Sequence, residues 1–356
     1  MAMEYIPPRG LFENLLAKLS AAARKLLGIR RPRSEDIFER RLFIWPNELV
    51  IPELGYRSPY AAFNPGAVLR GRVVDVFPRL IIGYFWYTSV VGYFSVDVDN
   101  LLEGRVERPL RVRLVVYPSF REDLAGCEDP RADYDGSNYY ILYTALEPYP
   151  NRFHAINAAS RQALAELDQN LKVKRKFIVR LKVGDRYYTF EYWKDSALLG
   201  VAKRTWLLTR PTIERLEVSW KGLLDMEEGS IDYETLEPVL LPEAWELKTG
   251  WSTNAVRIGS NEYLVGWHGV GRDLYYRNGL AIVDSQGELL AVTQDYVLVP
   301  HVMPEMVGER PGVIFGCGLL VYKDTVIWIG GVADTAIGVY AAPLDKVMEK
   351  MKWLKG

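Results

Sequence analysis

Gly126-Cys127-Glu128-Asp129-Pro130-Arg131 sets two adjacent carboxylates against a proline, with a cation one residue further on. It leads through the turn Asp135-Gly136-Ser137-Asn138 into an aromatic strand, Tyr139-Tyr140-Ile141-Leu142-Tyr143. Pro130 has no amide hydrogen, so Asp129 is biased toward extended backbone and away from a helix interior. The same plan (polar or glycine-containing lead-in, small aliphatic strand, tight turn, aliphatic-aromatic strand) recurs four times. The other copies begin at Asn64-Pro65-Gly66-Ala67-Val68, Lys194-Asp195-Ser196-Ala197-Leu198, Ser252-Thr253-Asn254-Ala255-Val256 and Phe315-Gly316-Cys317-Gly318-Leu319. With Asn64, Asp129, Asp195, Asn254 and Cys317 as equivalents, the intervals are 65, 66, 59 and 63 residues. Five β units at near-constant spacing predict an all-β chain folded as a five-bladed β-propeller, its loops longer than those of the commonest repeats of roughly 40–50 residues. A β-sandwich or a two-domain β protein is the competing architecture.

Before the repeats, Leu11, Leu15, Leu19, Ala22 and Leu26 fall on one helical face and Gly28 is a stop signal. This gives an N-terminal helical arm over 1–40, packed on its own domain or on a second subunit of a homo-oligomer. The propeller is expected over 41–345, with a short C-terminal helix over 346–356. The Ala-rich stretch 155–171 is read as an inserted helix, and 214–248 mixes strand and loop signals.

Bulk composition excludes several partners. Hydrophobic residues at 49% and charged residues at 25% suit a soluble globular protein, and a net charge of −1 argues against nucleic acid or an anionic membrane as partner. The first apolar run, 11–27, is interrupted by Glu13, Lys18, Arg24 and Lys25, so it neither spans a bilayer nor serves as a signal core. A cytoplasmic location is the expectation. Cys127 and Cys317 are too few for a disulfide framework or a zinc site and read as buried free thiols, with a bridge between the two as the alternative. Four Gln among 356 residues, with abundant Arg and Glu, point to a heat-adapted source.

In a propeller the lead-in residues of the inner strands gather at one mouth of the central channel. Asp129 is then a candidate proton donor for glycosidic-bond chemistry, with the alternative that it simply ion-pairs with Arg131. Glu128 beside it, Asn64, Arg79 and Asp334 suit sugar hydroxyls. Lys194, Arg210, Lys248 and His268 form a second, cationic set. Lone cations are usually solvated surface groups, but four at repeat-equivalent places would need an anion to neutralise them, and phosphate is the obvious one.

These motifs resemble the inverting β-mannoside phosphorylases, five-bladed propellers classed among the glycoside hydrolases. The resemblance runs from about Phe63 to Leu344 and rests on Phe63-Asn64-Pro65-Gly66, Gly126 through Arg131 with Tyr143-Thr144-Ala145, and Trp267-His268-Gly269-Val270. Tyr276 through Asp284, Phe315-Gly316-Cys317-Gly318 and Gly331 through Gly338 add to it. It implies a β-1,4-mannosyl phosphorylase-like enzyme acting on a β-mannoside oligosaccharide and inorganic phosphate, without a cofactor or metal, to give α-mannose 1-phosphate. It implies Asp129 as sole catalytic acid, Asn64, Arg79 and Asp334 on the mannosyl ring, and Lys194, Arg210, Lys248 and His268 on phosphate. Lys194 stands where many members have Arg, and 105–120 and 150–185 align poorly, which leaves the acceptor sugar open. The alternatives are a hydrolase on the same scaffold, with Glu309 or another channel glutamate as base, and a sugar-binding propeller without turnover.

Overall fold

Each of the five lead-in segments forms the innermost strand of an antiparallel sheet. The structure, a computed structural model, describes residues 7–149 and 158–354. The inner strands are β1 (Ala61–Arg70), β2 (Gly126–Tyr134), β3 (Trp193–Leu198), β4 (Glu246–Arg257) and β5 (Ile314–Tyr322). Each pairs with the strand that follows it in sequence, and further strands are added outward: Ser89–Asp97 in the first blade, Ala158–Leu167 and Val173–Ile178 in the second, Ser219–Asp225 in the third. The architecture is a five-bladed β-propeller.

What makes the five strands equivalent is a shared irregularity. The ladder slips between Phe63 and Gly66, Glu128 and Arg131, Lys194 and Ala197, Trp251 and Ala255, and Gly316 and Gly318. In the first three blades the slipped residue is Asn64 (φ 45), Asp129 (φ 49) or Asp195 (φ 55), all left-handed. Asn and Asp tolerate that conformation better than other side chains, and a bulge re-aims a side chain out of the sheet plane. The extended backbone expected at Asp129 from Pro130 is therefore corrected: the bulge overrides the proline's bias.

The two ends of the chain close the ring. Glu39–Ile44 pairs with Ala336–Pro343 to complete the fifth blade, so the boundary expected at residue 41 falls inside a strand. After a helix at Leu344–Glu349, Met351–Trp353 pairs with Leu289–Thr293 on the fourth blade. The C-terminal helix expected over 346–356 is thus shorter, and its second half is a strand; the last two residues lie outside the described ones.

The Ala-rich stretch is a correction too. Ala158–Leu167 is a strand buried along its whole length, where Ala163 and Ala165 let neighbouring sheets approach and packing overrides helix propensity. Residues 155–157 of that expected helix lie outside the described residues. Stretch 214–248 resolves into short strands at Leu216–Glu217, Ser219–Asp225, Ser230–Asp232 and Glu237–Leu240.

Helix α1 (Arg9–Leu26) buries Leu11, Leu15 and Leu19 in the apolar cluster of the third blade, beside Trp193 and Trp220. Lys18 Nζ donates to the carbonyls of Glu234 and Leu236. The arm therefore packs on its own domain. The basic run that follows is partly structural: Arg30 is buried, pairs with Glu246 and stacks over Trp267. Cys127 and Cys317 are free and buried. Among the described residues no helix is long and apolar enough to cross a membrane.

Candidate active site

The bulges of the first three blades deliver Asn64, Asp129 and Asp195 to one polar cavity of about 150 Å³ at a mouth of the channel. It is lined by Asn64, Arg79, Glu128, Asp129, Lys194, Arg210, His268 and Asp334, so eight of the nine residues singled out in the sequence meet there. The ninth, Lys248, adjoins them: its Nζ lies 5.7 Å over the ring of Tyr276, itself part of the lining.

One end of the cavity is a carboxyl cluster centred on Arg79. Arg79, from the second strand of the first blade, donates from Nη1 to Asp129 Oδ1 (3.0 Å) and from Nη2 to Glu128 Oε1 (2.5 Å). Its Nε is fixed by Ser89 Oγ at 2.8 Å, and its plane lies over Phe63. Asn64 Nδ2 donates to the same Asp129 Oδ1 at 2.8 Å, so one carboxylate oxygen is held from both sides. Among the described residues the other, Oδ2, accepts no hydrogen bond. Asn64 itself is seated by Gly331, where a Cβ would come within 1.9 Å of Asn64 Oδ1.

Like charges this close disfavour one another's ionised form. Burial raises Glu128, with Arg79 opposing and Asp129 adding to the rise. Asp334 is raised by burial in the same way, again opposed by Arg79. Burial by itself would lower Arg79, but the charges of Glu128, Asp129 and Asp334 outweigh it and hold the guanidinium firmly protonated. Burial thus favours the neutral form of Glu128 and of Asp334 at this end.

The local ion pair offered as the alternative for Asp129 does not form. Arg131 donates only to the backbone carbonyl of Asp129, at 2.9 Å, and turns its fork to Asp195 Oδ1 (3.2 Å) and the Trp251 and Ser252 carbonyls (both 3.1 Å). It is a buried rivet between three blades.

The other end is cationic and organised on Asp195. Arg210 Nε donates to Asp195 Oδ2 at 2.7 Å, and His268 Nε2 lies 3.8 Å from the same oxygen. Burial would raise Asp195, but Arg210, Arg131, His268 and Lys194 together pull it far below the usual carboxylate range. Lys194 makes no ion pair among the described residues, and burial followed by repulsion from Arg210 lowers it. Gly250 opens the space in which Arg210, Asp195 and His268 converge: a Cβ there would lie 2.6 Å from His268 Cε1 and 2.8 Å from Asp195 Oδ2.

His268 was expected as a cation and is corrected. Burial lowers it well below the ordinary value, more than Asp195 can restore. Its Nδ1 lies 3.0 Å from Ser252 Oγ and its ring stacks on Tyr276 at 5.2 Å, so it offers a neutral hydrogen-bonding edge. The net charge of the end comes from Lys194, Arg210 and Lys248, with Arg310 above Tyr276 as a further cation.

Four residues of this neighbourhood escaped the sequence reading as chemical groups. Asp195 marked the repeat without being given a role, and its equivalence to Asp129 was the available signal. Tyr276 and Arg310 come from loops and strand ends without repeat-equivalents. Glu217 reaches the cationic end, where its Oε2 contacts Arg210 Nη1 and lies 3.4 Å from Lys248 Nζ. Glu309, offered as a base, is exposed and outside the lining.

Residues 28–353 match the glycoside hydrolase family 130, described as beta-1,4-mannooligosaccharide phosphorylase. The chain is 27% identical over 293 residues to a 1,2-beta-oligomannan phosphorylase of Thermoanaerobacter sp. (strain X514), covering 78% of this chain and 88% of the relative. It is 24% identical over 304 residues to a beta-1,2-mannobiose phosphorylase of the same organism, covering 81% and 91%. Among solved structures it is similar to the beta-1,2-mannobiose phosphorylase of Listeria innocua in complex with beta-1,2-mannobiose, with a TM-score of 0.64, 16% identity, and coverage of 86% of this chain and 98% of that one. The family match takes in all five inner strands and both ends of the cavity, and the chain belongs to glycoside hydrolase family 130.

Proposed function

We propose that this protein cleaves a β-linked mannoside with inorganic phosphate, inverting the anomeric centre to release α-mannose 1-phosphate. The observation that carries the reading is a single cavity with a carboxyl cluster at one end and a cluster of cations at the other. Asp129 would supply the proton to the glycosidic oxygen, in the family's manner partly through a hydroxyl of the bound sugar. Asn64, Arg79, Glu128 and Asp334 would hold the mannosyl ring. Phosphate, seated on Lys194, Arg210 and Lys248 with a hydrogen bond from His268, would attack the anomeric carbon from the opposite face. The C–O bond to the acceptor breaks as the C–O bond to phosphate forms, and the acceptor departs with the proton.

An inverting hydrolase needs a second carboxylate to activate water. Phosphate brings its own negative charge, so the protein has only to position it and offset repulsion near the sugar. The linkage we propose is β-1,2, on the strength of the two curated relatives, in preference to the β-1,4 linkage in the family's description. The test is initial-rate product analysis on β-1,2- and β-1,4-linked mannobiose with and without phosphate. The expected result is turnover that requires phosphate and favours the β-1,2 substrate. Release of free mannose at an unchanged rate in phosphate-free buffer would overturn the reading.

A pH dependence follows from Lys248. Burial, with repulsion from Arg210, pulls it down to about 8. Its ammonium form, the one that attracts phosphate, is lost as pH rises through that value. The KM for phosphate is therefore expected to climb above about pH 8, and Lys248→Met should flatten that rise.

A hydrolytic reading has one observation in its favour, Glu217 at the cationic end. Its carboxylate is bound by Arg210 and approached by Lys248, which weakens it as a base.

A further inference from the structure

Resting on the phosphorylase reading, we propose that Glu217 is a resident anion that holds the phosphate subsite until phosphate displaces it, and so sets the affinity for phosphate. Its Oε2 bridges Arg210 Nη1 and, at 3.4 Å, Lys248 Nζ, two of the three cations assigned to phosphate. Arg210 is buried to 2% exposure and its Nε is already committed to Asp195, so Nη1 is the edge that Glu217 covers. A carboxylate that stayed there would repel an arriving phosphate dianion and occupy its donors. Phosphate binding therefore requires this side chain to leave.

The local structure permits that movement. Glu217 belongs to a strand of two residues, paired only as Thr212 with Glu217 and Ile213 with Leu216. The connecting turn has Glu214 (φ 49) and Arg215 (φ 71), both left-handed, and Leu216 is exposed, so no core is opened when the carboxylate swings away. Behind it lies a second cavity of about 550 Å³ beneath α1, whose lining includes both Glu217 and Lys194. Glu217 thus stands between the catalytic cavity and a space able to receive its side chain.

The ligand-free protein gains a neutralised cation cluster, and phosphate loses affinity in proportion to what it must displace. Glu217→Gln removes the competing charge while keeping the shape. The KM for phosphate should fall about tenfold, the effect of one charge-assisted contact, while the KM for the mannoside is unmoved. Phosphate should also raise the Tm of Glu217→Gln more than that of the wild type, which a purely structural role would not produce. Glu217→Asp, whose charge is drawn back by one methylene, should lie between the two and serves if the amide variant fails to fold. Wild-type phosphorolysis with a phosphate KM that is unchanged or raised in both variants overturns the gate alone. Mannose released by the wild type without phosphate, and lost in Glu217→Gln, makes Glu217 a base and overturns both the gate and the phosphorylase reading.

Discussion

Asp129→Asn is expected to lower the rate of β-mannoside cleavage by about 10³- to 10⁴-fold, at the upper end of what one positioned general acid contributes. The amide is close in shape to the carboxyl group and, like it, tolerates the left-handed backbone at φ 49, so the bulge and the fold should survive. Asn64 and Arg79 remain beside it, and the cations of the other end are untouched. Sugar and phosphate affinity measured by calorimetry should therefore be largely retained while turnover collapses. The loss should be smaller for an aryl mannoside whose leaving group needs no proton, because the missing proton is then not demanded. A non-catalytic sugar binder would show neither the collapse nor the dependence on leaving group. Equal loss on both substrates would assign Asp129 to binding instead of proton transfer.

The second large effect is expected at Asp195. Its carboxylate is buried between Arg131 and Arg210, with His268 and Lys194 beside it. Asp195→Asn keeps the shape and the left-handed backbone but strands two buried guanidinium groups without an anion. Removing one partner of such a cluster costs about 3–5 kcal/mol, because uncompensated buried charge remains. Urea denaturation in phosphate-free buffer should register a loss of that order. Phosphate should restore part of it, since a ligand that binds only the folded protein stabilises by mass action and here also replaces the missing charge. The sign with pH is fixed by the depressed carboxyl: its contribution is fully present above the unfolded carboxylate range and is lost only as pH falls through the much lower folded value. The wild-type and variant stabilities should therefore converge only in strong acid. A variant as stable as the wild type in neutral, phosphate-free buffer would contradict the role given to Asp195.

The fold was legible because its repeat is written at the bulges. Asn64, Asp129 and Asp195 are the residue types that accept a left-handed backbone, and three of the five blades place one at the bulge by the channel mouth. Most of the site was legible for the same reason, since residues some sixty positions apart face one cavity only if those bulges coincide. What stayed hidden depends on packing. Nothing local distinguishes an Ala-rich strand from an Ala-rich helix, so Ala158–Leu167 is decided by the sheets that bury it. The neutrality of His268 comes from burial against Tyr276 and Phe315, contacts set by tertiary geometry. Arg131 is two residues from the acid in sequence yet serves Asp195, because the bulge points the two side chains of that segment to different places. Glu217 lies in a stretch with weak strand signals, and only the fold brings it to Arg210.

The account turns on phosphate, not water, attacking the anomeric carbon from the cationic end. The most direct measurement is phosphorus NMR of the protein turning over β-1,2-mannobiose in phosphate buffer, with free mannose quantified alongside. The account predicts the α anomer of mannose 1-phosphate and free mannose appearing one for one. A β-configured phosphate ester, or mannose accumulating with no ester at all, would contradict it.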